Sequence, residues 1–439
     1  MKQLLIKGGR VIDPARGYDQ NADVLITEGI VEKVEPGLKV LSGAEVVDAE
    51  GLVVSPGLID IHVHLRDPGQ EYKEDIHSGT RAAAAGGFTA VAAMANTEPV
   101  VDDPSMIGYV YKRAAGAAAR VYPLGALTKG LEGKEMAELG RMKMAGAAGF
   151  SDDGKPVVNG TMMRNALHYA SGIGAVVIAH EEDAHLSAGG MMHEGAVSSV
   201  LGLKGIPSAA EETMINRDLL ILKITGGRLH IAHVSTAGSV EILRRAKAEG
   251  LNVTAEVTPH HLLLTDRLVK NSGYNTNTKV NPPLRTENDR QALWVGLLDG
   301  TIDAIASDHA PHHPDDKDVE YDFAPCGIAG LETSLPLLLD EVASGRIKDF
   351  TLPLLVEKLS SAPARILDLP GGSLEAGRPG DVTIIDPNRE IIVGPENWYS
   401  KSRNTPFAGK RLKGAPVYTI VGGKVTMKEG VVTERAVQG

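Results

Sequence analysis

Apolar and polar positions divide the chain into three stretches. Over the first 55 residues, LLIKGGRVID, ADVLITEGIVEKVE and AEVVDAEGLVVSPG alternate apolar and polar positions around glycines, the pattern of short half-exposed strands. The last stretch repeats it in GDVTIIDP, REIIVGP and APVYTIVGGKVTMKEGVVT. Chain ends of one domain commonly lie close together, so these two ends are expected to pair into one small sheet. Two separate β appendages are the alternative. The middle reads differently. LIDIHVH (58–64), TAVAAMAN (89–96), ARVYPLGAL (119–127), AAGFSD (147–152), AVVIAHE (175–181), LHIAHVS (229–235), NVTAEVTP (252–259) and DAIASDH (303–309) are mostly continuous apolar runs. Such runs suit parallel strands covered on both faces. Helical periodicity lies between them, over 71–87, 104–118, 133–146, 160–172, 211–225, 237–250 and 290–300. Eight strands with intervening helices predict an α/β fold, a (β/α)8 TIM-type barrel, with a small β-sandwich domain built from both termini. Residues 1–55 with 370–439 would form the small β domain and 56–369 the barrel. A doubly wound open sheet is the runner-up, weakened because no glycine fingerprint follows the first strand.

Composition narrows the function without supplying it. The chain has 439 residues, 43% hydrophobic and 23% charged, enough for a large core and too apolar for global disorder. Its net charge of −11 and lack of a basic run argue against nucleic acid as partner. One cysteine, Cys326, excludes a disulfide framework and a cysteine-rich zinc site, and fits a reducing cytoplasm. No apolar run reaches membrane-spanning length, and MKQLLIKGGRVIDP does not read as a signal peptide. The 14 histidines are the notable richness.

Barrel enzymes place their chemistry at the C-terminal ends of strands. There this chain carries His62-Val63-His64-Leu65-Arg66, Asn96, Asp152-Asp153, His180, His233 and Asp308-His309-Ala310-Pro311-His312. Each has a bland reading alone: a strand-end histidine is commonly structural, Asp308 could cap a turn, Arg66 could be a surface arginine and Asn96 a turn former. Four histidines and two aspartates at one end of one barrel are hard to obtain from packing. Histidines two apart on a strand share a face, so His62 and His64 can grip one ion. Imidazole with carboxylate suits zinc and its neighbours rather than calcium or magnesium. Six ligands exceed one tetrahedral zinc and divide over two ions. His62, His64 and Asp308 would hold the first, His180 and His233 the second, and Asp152 or Asp153 would bridge. Two ions sharing a water make a nucleophile at neutral pH.

At this point the sequence resembles the amidohydrolase superfamily, and within it the dihydroorotase family of the long bacterial type. The matching segments span essentially the whole chain: SPGLIDIHVHLRDPGQEYKEDI, GGFTAVAAMANTEP, GFSDDGKPV, AHEED, HIAHVSTAGSVE, TPHHLLL, KVNPPLR, IASDHAPH, GIAGLET and SRNTPFAG. The resemblance implies a metal-dependent cyclic amidohydrolase of pyrimidine biosynthesis acting on a small molecule, (S)-dihydroorotate, with one or two zinc ions, two favoured. It implies that His62, His64, His180 and His233 are ligands, and that Asp308 is both ligand and proton shuttle. It implies that Asp153, 27 residues before His180, is the bridge, that Arg66, Asn96 and His312 hold the substrate carboxylate, and that Asn281 touches substrate. Many relatives bridge with a carboxylated lysine; GFSDDG has none, which disfavours a hydantoinase or allantoinase. A homodimer is expected, and association with aspartate transcarbamoylase stays open, including the reading of a non-catalytic scaffold for that partner. His77, His168, His185 and His193 read as surface, packing or loop residues. His230, three before His233, is expected on the opposite face of its strand. His260, His261, His309 and His313 are expected as supports, and Cys326 as no nucleophile.

Overall fold

The computed structural model describes residues 2–40 and 42–434. Eight parallel strands form the barrel: Leu58–Val63, Phe88–Ala93, Arg120–Pro123, Phe150–Ser151, Val176–Ala179, Arg228–Ile231, Val253–Val257 and Ala304–Ile305. Each falls inside or against an expected segment. The first three pair in order, as do the last five. Two single bridges close the ring, Gly125 to Phe150 between the third and fourth strands and Val63 to His309 between the first and the end of the eighth. Gly125 permits the first closure, because a Cβ there would lie 2.9 Å from the Met142 sulfur and 3.0 Å from the Phe150 ring.

The first, second and fifth strands are buried at every position, which is why their sequences run apolar instead of alternating. Ile59, Ala90, Ile178 and Ala304, with Ala232 just past the sixth strand, come from parts of the barrel that are not all neighbours yet form one cluster, so they meet across the barrel interior. A larger cluster packs the strands against the helices. Side-chain caps mark several helix starts: Asp75 accepts from the Ser78 amide, Thr236 from Ser239 and Thr286 from Asp289.

The chain ends do join. Strand Val382–Ile392 runs antiparallel to Val53–Pro56, which lies beside Gln3–Asp13, and nine strands make one folded-over sheet around its own core of Leu4, Ile6, Val24, Val54, Ile384 and Ile420. The fold is a (β/α)8 barrel with a small β-sandwich domain built from both termini. Some expectations were too coarse. GDVTIIDP and REIIVGP form one strand carrying an irregularity between Asp386 and Glu390. Only Leu139–Met144 of the 133–146 stretch is helical, its glycines being poor helix formers. Helix Ser334–Ser344, beyond the eighth strand, is buried continuously from Ser334 to Leu339 and exposed only at its last two residues, so its first half runs apolar without a polar face.

Candidate metal centre and active site

All six expected ligands converge at the C-terminal mouth of the barrel. His62 and His64 leave the first strand at an irregularity in its pairing, where Asp60 and Val63 face Val91 and Ala93 of the second; one extra residue bends the strand end. Asp153 lies two residues past the fourth strand, His180 directly after the fifth, His233 two past the sixth and Asp308 three past the eighth. Each is buried.

Asp153 sits at the centre. Its Oδ1 lies 3.5 Å from His62 Nε2, 3.6 Å from His180 Nδ1 and 3.6 Å from His233 Nε2, and its Oδ2 lies 3.5 Å from His64 Nε2. Two three-residue groups with converging ligand atoms result, His62–His64–Asp153 and Asp153–His180–His233. Asp308 Oδ1 stands 3.1 Å from His64 Nε2 and 3.6 Å from His62 Nε2. Zinc bonds of about 2.0–2.2 Å set tetrahedral ligand atoms roughly 3.3–3.6 Å apart, so these spacings fit a divalent metal. Buried polar atoms almost always have partners, yet among the described residues His62 Nε2 and Asp153 Oδ1 have no hydrogen-bond partner. Orphaned donors and acceptors aimed at one point are what an ion-binding cradle requires.

Local geometry separates the two adjacent aspartates. Asp152 turns away and accepts from the Leu127 and Thr128 amides at 2.8 and 3.0 Å and from the Thr128 hydroxyl. It anchors the loop after the third strand. Asp153, facing the other way, is left for the cluster.

A ring of supports surrounds the ligands. His62 Nδ1 donates to Glu256 Oε1 at 2.7 Å; Glu256 Oε2 meets His230 Nε2 at 3.1 Å, and His230 Nδ1 meets Thr254 Oγ1 at 2.8 Å. Burial would raise the Glu256 carboxyl, but the His62 charge and the hydrogen bonds from His230 and His62 hold it at about 2. This relay crosses the barrel and corrects the reading of His230. Counting three residues back from His233 assumed an extended strand, but the strand ends at Ile231 and His233 has φ +34°. Alternation does not survive that left-handed turn, so His230 also faces inward. Glu256 was missed altogether. The signal was a lone acid inside the apolar strand NVTAEVTP. Other supports are His64 Nδ1 with Asn96 Oδ1 at 2.9 Å, His180 Nε2 with Glu182 Oε2 at 3.0 Å, and Asn281 Nδ2 with the same Glu182 oxygen at 2.8 Å. His261 binds the Pro282 carbonyl at 2.9 Å, beside Asn281, while His309 receives the Gly330 amide at 3.1 Å.

Arg66 and His312 stand at the rim. Arg66 Nε donates to the Pro311 carbonyl at 3.3 Å. Burial lowers its pKa against the opposing charges of Asp308 and Asp153. His312 Nε2 donates to the Cys326 carbonyl at 2.8 Å while its Nδ1 has no hydrogen bond; burial and the Arg66 charge push this imidazole down to about 2. Burial raises the Asp308 carboxyl, but the His64 hydrogen bond and the charges of His62 and His64 outweigh it and keep it below the usual carboxylate range. Arg66, His233 and Asp308 all have left-handed backbones, at φ +59°, +34° and +44°. Such strain in residues with a Cβ concentrates at functional sites.

A closed barrel with histidines and aspartates converging on a divalent-metal cradle at its C-terminal mouth, and a sandwich built from both ends, defines a metal-dependent cyclic amidohydrolase. Comparison with known proteins narrows this. Residues 51–239 match the family described as "Dihydro-orotase-like". Dihydroorotase of Pelotomaculum thermopropionicum is 54% identical over 98% of this chain and 100% of its own length, and that of Geobacter sp. strain M21 is 54% identical over 97% and 100%. Among solved structures, L-hydantoinase from Arthrobacter aurescens superposes with a TM-score of 0.88 at 28% identity, covering 99% of this chain and 98% of that one. D-hydantoinase from a Bacillus sp. AR9 gives 0.86 at 26%, covering 99% and 98%. The chain belongs to the dihydroorotase family.

Proposed function

We propose that this chain is a dihydroorotase, interconverting (S)-dihydroorotate and water with N-carbamoyl-L-aspartate in pyrimidine biosynthesis. The observation that carries the reading is full-length similarity to dihydroorotases in a chain whose ligand cluster has an arginine at its rim. Hydantoinases share the fold, but a neutral ring does not need Arg66. His62, His64, His180, His233, Asp153 as bridge and Asp308 would hold zinc, two ions favoured over one. When bound, zinc activates water and polarises the ring carbonyl. Asp308 accepts the proton of the attacking water and returns it to the ring nitrogen as the carbon–nitrogen bond breaks. Arg66 pairs with the substrate carboxylate, its fork matching two oxygens, while Asn96 and His312 hold the same carboxylate and Asn281 contacts the substrate. Fixing that end aligns the carbonyl for attack.

The test is metal analysis with a ring-opening assay on the purified chain, followed by Asp308→Asn. That amide cannot take the proton, so kcat is expected to fall about 10²- to 10⁴-fold with KM little changed. A near-normal kcat at neutral pH removes the shuttle from Asp308, and an inactive, metal-loaded wild type removes the reading. The reading brings with it a cytoplasmic enzyme, a division into residues 1–55 with 370–439 and 56–369, and a homodimer. Size-exclusion chromatography with and without aspartate transcarbamoylase tests the homodimer and any such association.

A further inference from the structure

Resting on the reading of His312 as a carboxylate contact, the geometry points to Asn404 as a positioning residue that aims its imidazole. Asn404 lies in the segment between sheet strands Val382–Ile392 and Arg411–Val421, far from the barrel strands in sequence. It is nevertheless buried against the loop that follows the eighth strand. Its Nδ2 donates to the Gly327 carbonyl at 2.8 Å and to the Ala310 carbonyl at 3.1 Å. Its Oδ1 receives the His312 amide at 3.3 Å, shared with the Ser402 hydroxyl oxygen at 3.2 Å, and its own carbonyl receives the Ala329 amide at 2.9 Å.

One side chain therefore ties both anchors of the His312 ring. One anchor is the backbone of His312 itself. The other is the Cys326–Gly327 stretch, whose Cys326 carbonyl accepts the Nε2 proton at 2.8 Å. A carbonyl can only accept, so the ring is held as a single tautomer with Nδ1 turned away from that bond. The two stretches are pressed together at Gly327, where a Cβ would stand 2.6 Å from the Ala310 carbonyl oxygen and 3.1 Å from His312 Cδ2. The same segment grips the loop beyond Arg66. Lys401 Nζ pairs with Asp75 at 2.6 Å, and the Lys401 amide donates to Glu74 at 3.3 Å. A strap from the terminal sheet thus spans the loops that carry both rim residues.

A residue acting through His312 should change substrate capture without changing turnover or metal. Asn404→Asp is isosteric and keeps the acceptor for the His312 amide, but replaces both donations by repulsion between oxygens. On the full-length, metal-loaded enzyme, KM for dihydroorotate should rise about ten- to a hundredfold, as expected for buried hydrogen bonds lost. Metal content should stay constant and kcat should stay within about threefold. Ser402→Ala removes one of two acceptors and should raise KM less than fivefold. In a His312→Ala background, Asn404→Asp should add less than twofold. A full effect in that background, an unchanged KM, or parallel loss of kcat and metal overturns the assignment. Nitrogen NMR of His312 gives a readout independent of activity: wild type should show Nε2 protonated and Nδ1 bare, and Asn404→Asp should lose that single-tautomer pattern. Wild type inactive on dihydroorotate would defeat the functional reading, and the tautomer measurement would still decide the positioning role; an unchanged pattern overturns it.

Discussion

Two buried polar clusters in this molecule have similar ingredients and opposite bookkeeping. Around Arg285 every group is answered: its Nε donates to Ser235 Oγ at 3.0 Å and its guanidinium to the Ile206 carbonyl at 2.9 Å, and it faces Glu211 at 3.8 Å. Glu211 in turn receives the Ser235 and Thr236 amides at 3.0 and 3.2 Å. Among the described residues, no fully buried side-chain nitrogen or oxygen of Arg285, Glu211 or Ser235 lacks a hydrogen-bond partner. Around Asp153 the opposite holds: four histidines and a carboxylate approach to 3.5–3.6 Å, and His62 Nε2 and Asp153 Oδ1 bond to nothing. A saturated cluster stabilises a fold, whereas an unsaturated one with converging lone pairs awaits a ligand. Burial and charge alone do not distinguish them.

The sharpest break comes at the unsaturated cluster. His233→Ala, or His62→Ala, should lose bound metal and abolish turnover, with the circular dichroism spectrum retained because no packed apolar side chain is removed. Metal analysis with the ring-opening assay decides it, and wild-type activity would remove that residue from the site. At the saturated cluster, Arg285→Met should do the reverse. It strands Glu211 as a buried charge and should cost about 3–5 kcal/mol of stability, read by denaturant unfolding, while metal stays bound. Loss of metal with unchanged stability would merge the two clusters into one.

Arg66→Met probes the edge of the first cluster. Losing a buried charge pair costs about 2–5 kcal/mol, so kcat/KM on dihydroorotate should fall about 30- to 5000-fold at constant metal, and much less on an uncharged cyclic imide. Equal losses on both would make Arg66 a structural support. The smallest effect belongs to neither cluster. Glu287 and Arg290 pair on an exposed helix face at 2.6 Å, and the Arg290 hydrogen bond, with burial opposing, lowers the Glu287 carboxyl from 4.5 to about 2. A depressed folded-state pKa favours folding above the unfolded value. The contribution should therefore be complete above pH 4.5 and fade as pH falls toward 2. Glu287→Gln should cost only about 0.3–0.5 kcal/mol at pH 7, and the difference in melting temperature from wild type should shrink on acidification.

Much of this was legible in the chain. Local patterns are written where local physics acts: continuous apolar runs betray strands covered on both faces, and all eight lay where such runs occur. The convergence of histidines and aspartates at the mouth was legible for the same reason. His62-Val63-His64, Asp152-Asp153-Gly154, His180, His233 and Asp308 each end a run, and chain order alone sends those ends to one rim of a barrel. The joining of the two ends was an expectation that the pairing of Val53–Pro56 with Val382–Ile392 bears out.

What the tertiary structure decided lies where one side chain answers another from a distant part of the chain. Asp152 and Asp153 are adjacent and chemically identical; only the Leu127 and Thr128 amides, brought up by the third strand, claim one and leave the other. Glu256 supports His62 across the barrel interior, a contact between strands that are not neighbours, and His230 backs Glu256 from the adjacent strand. Alternation predicts side-chain direction only while the backbone stays extended, and it fails at His233, where φ turns positive. Asn404 reaches the His312 loop from 92 positions away. Hydrophobic periodicity determines which residues are buried and on what element; the pairing of buried polar groups is set by distances that exist only once the barrel has closed.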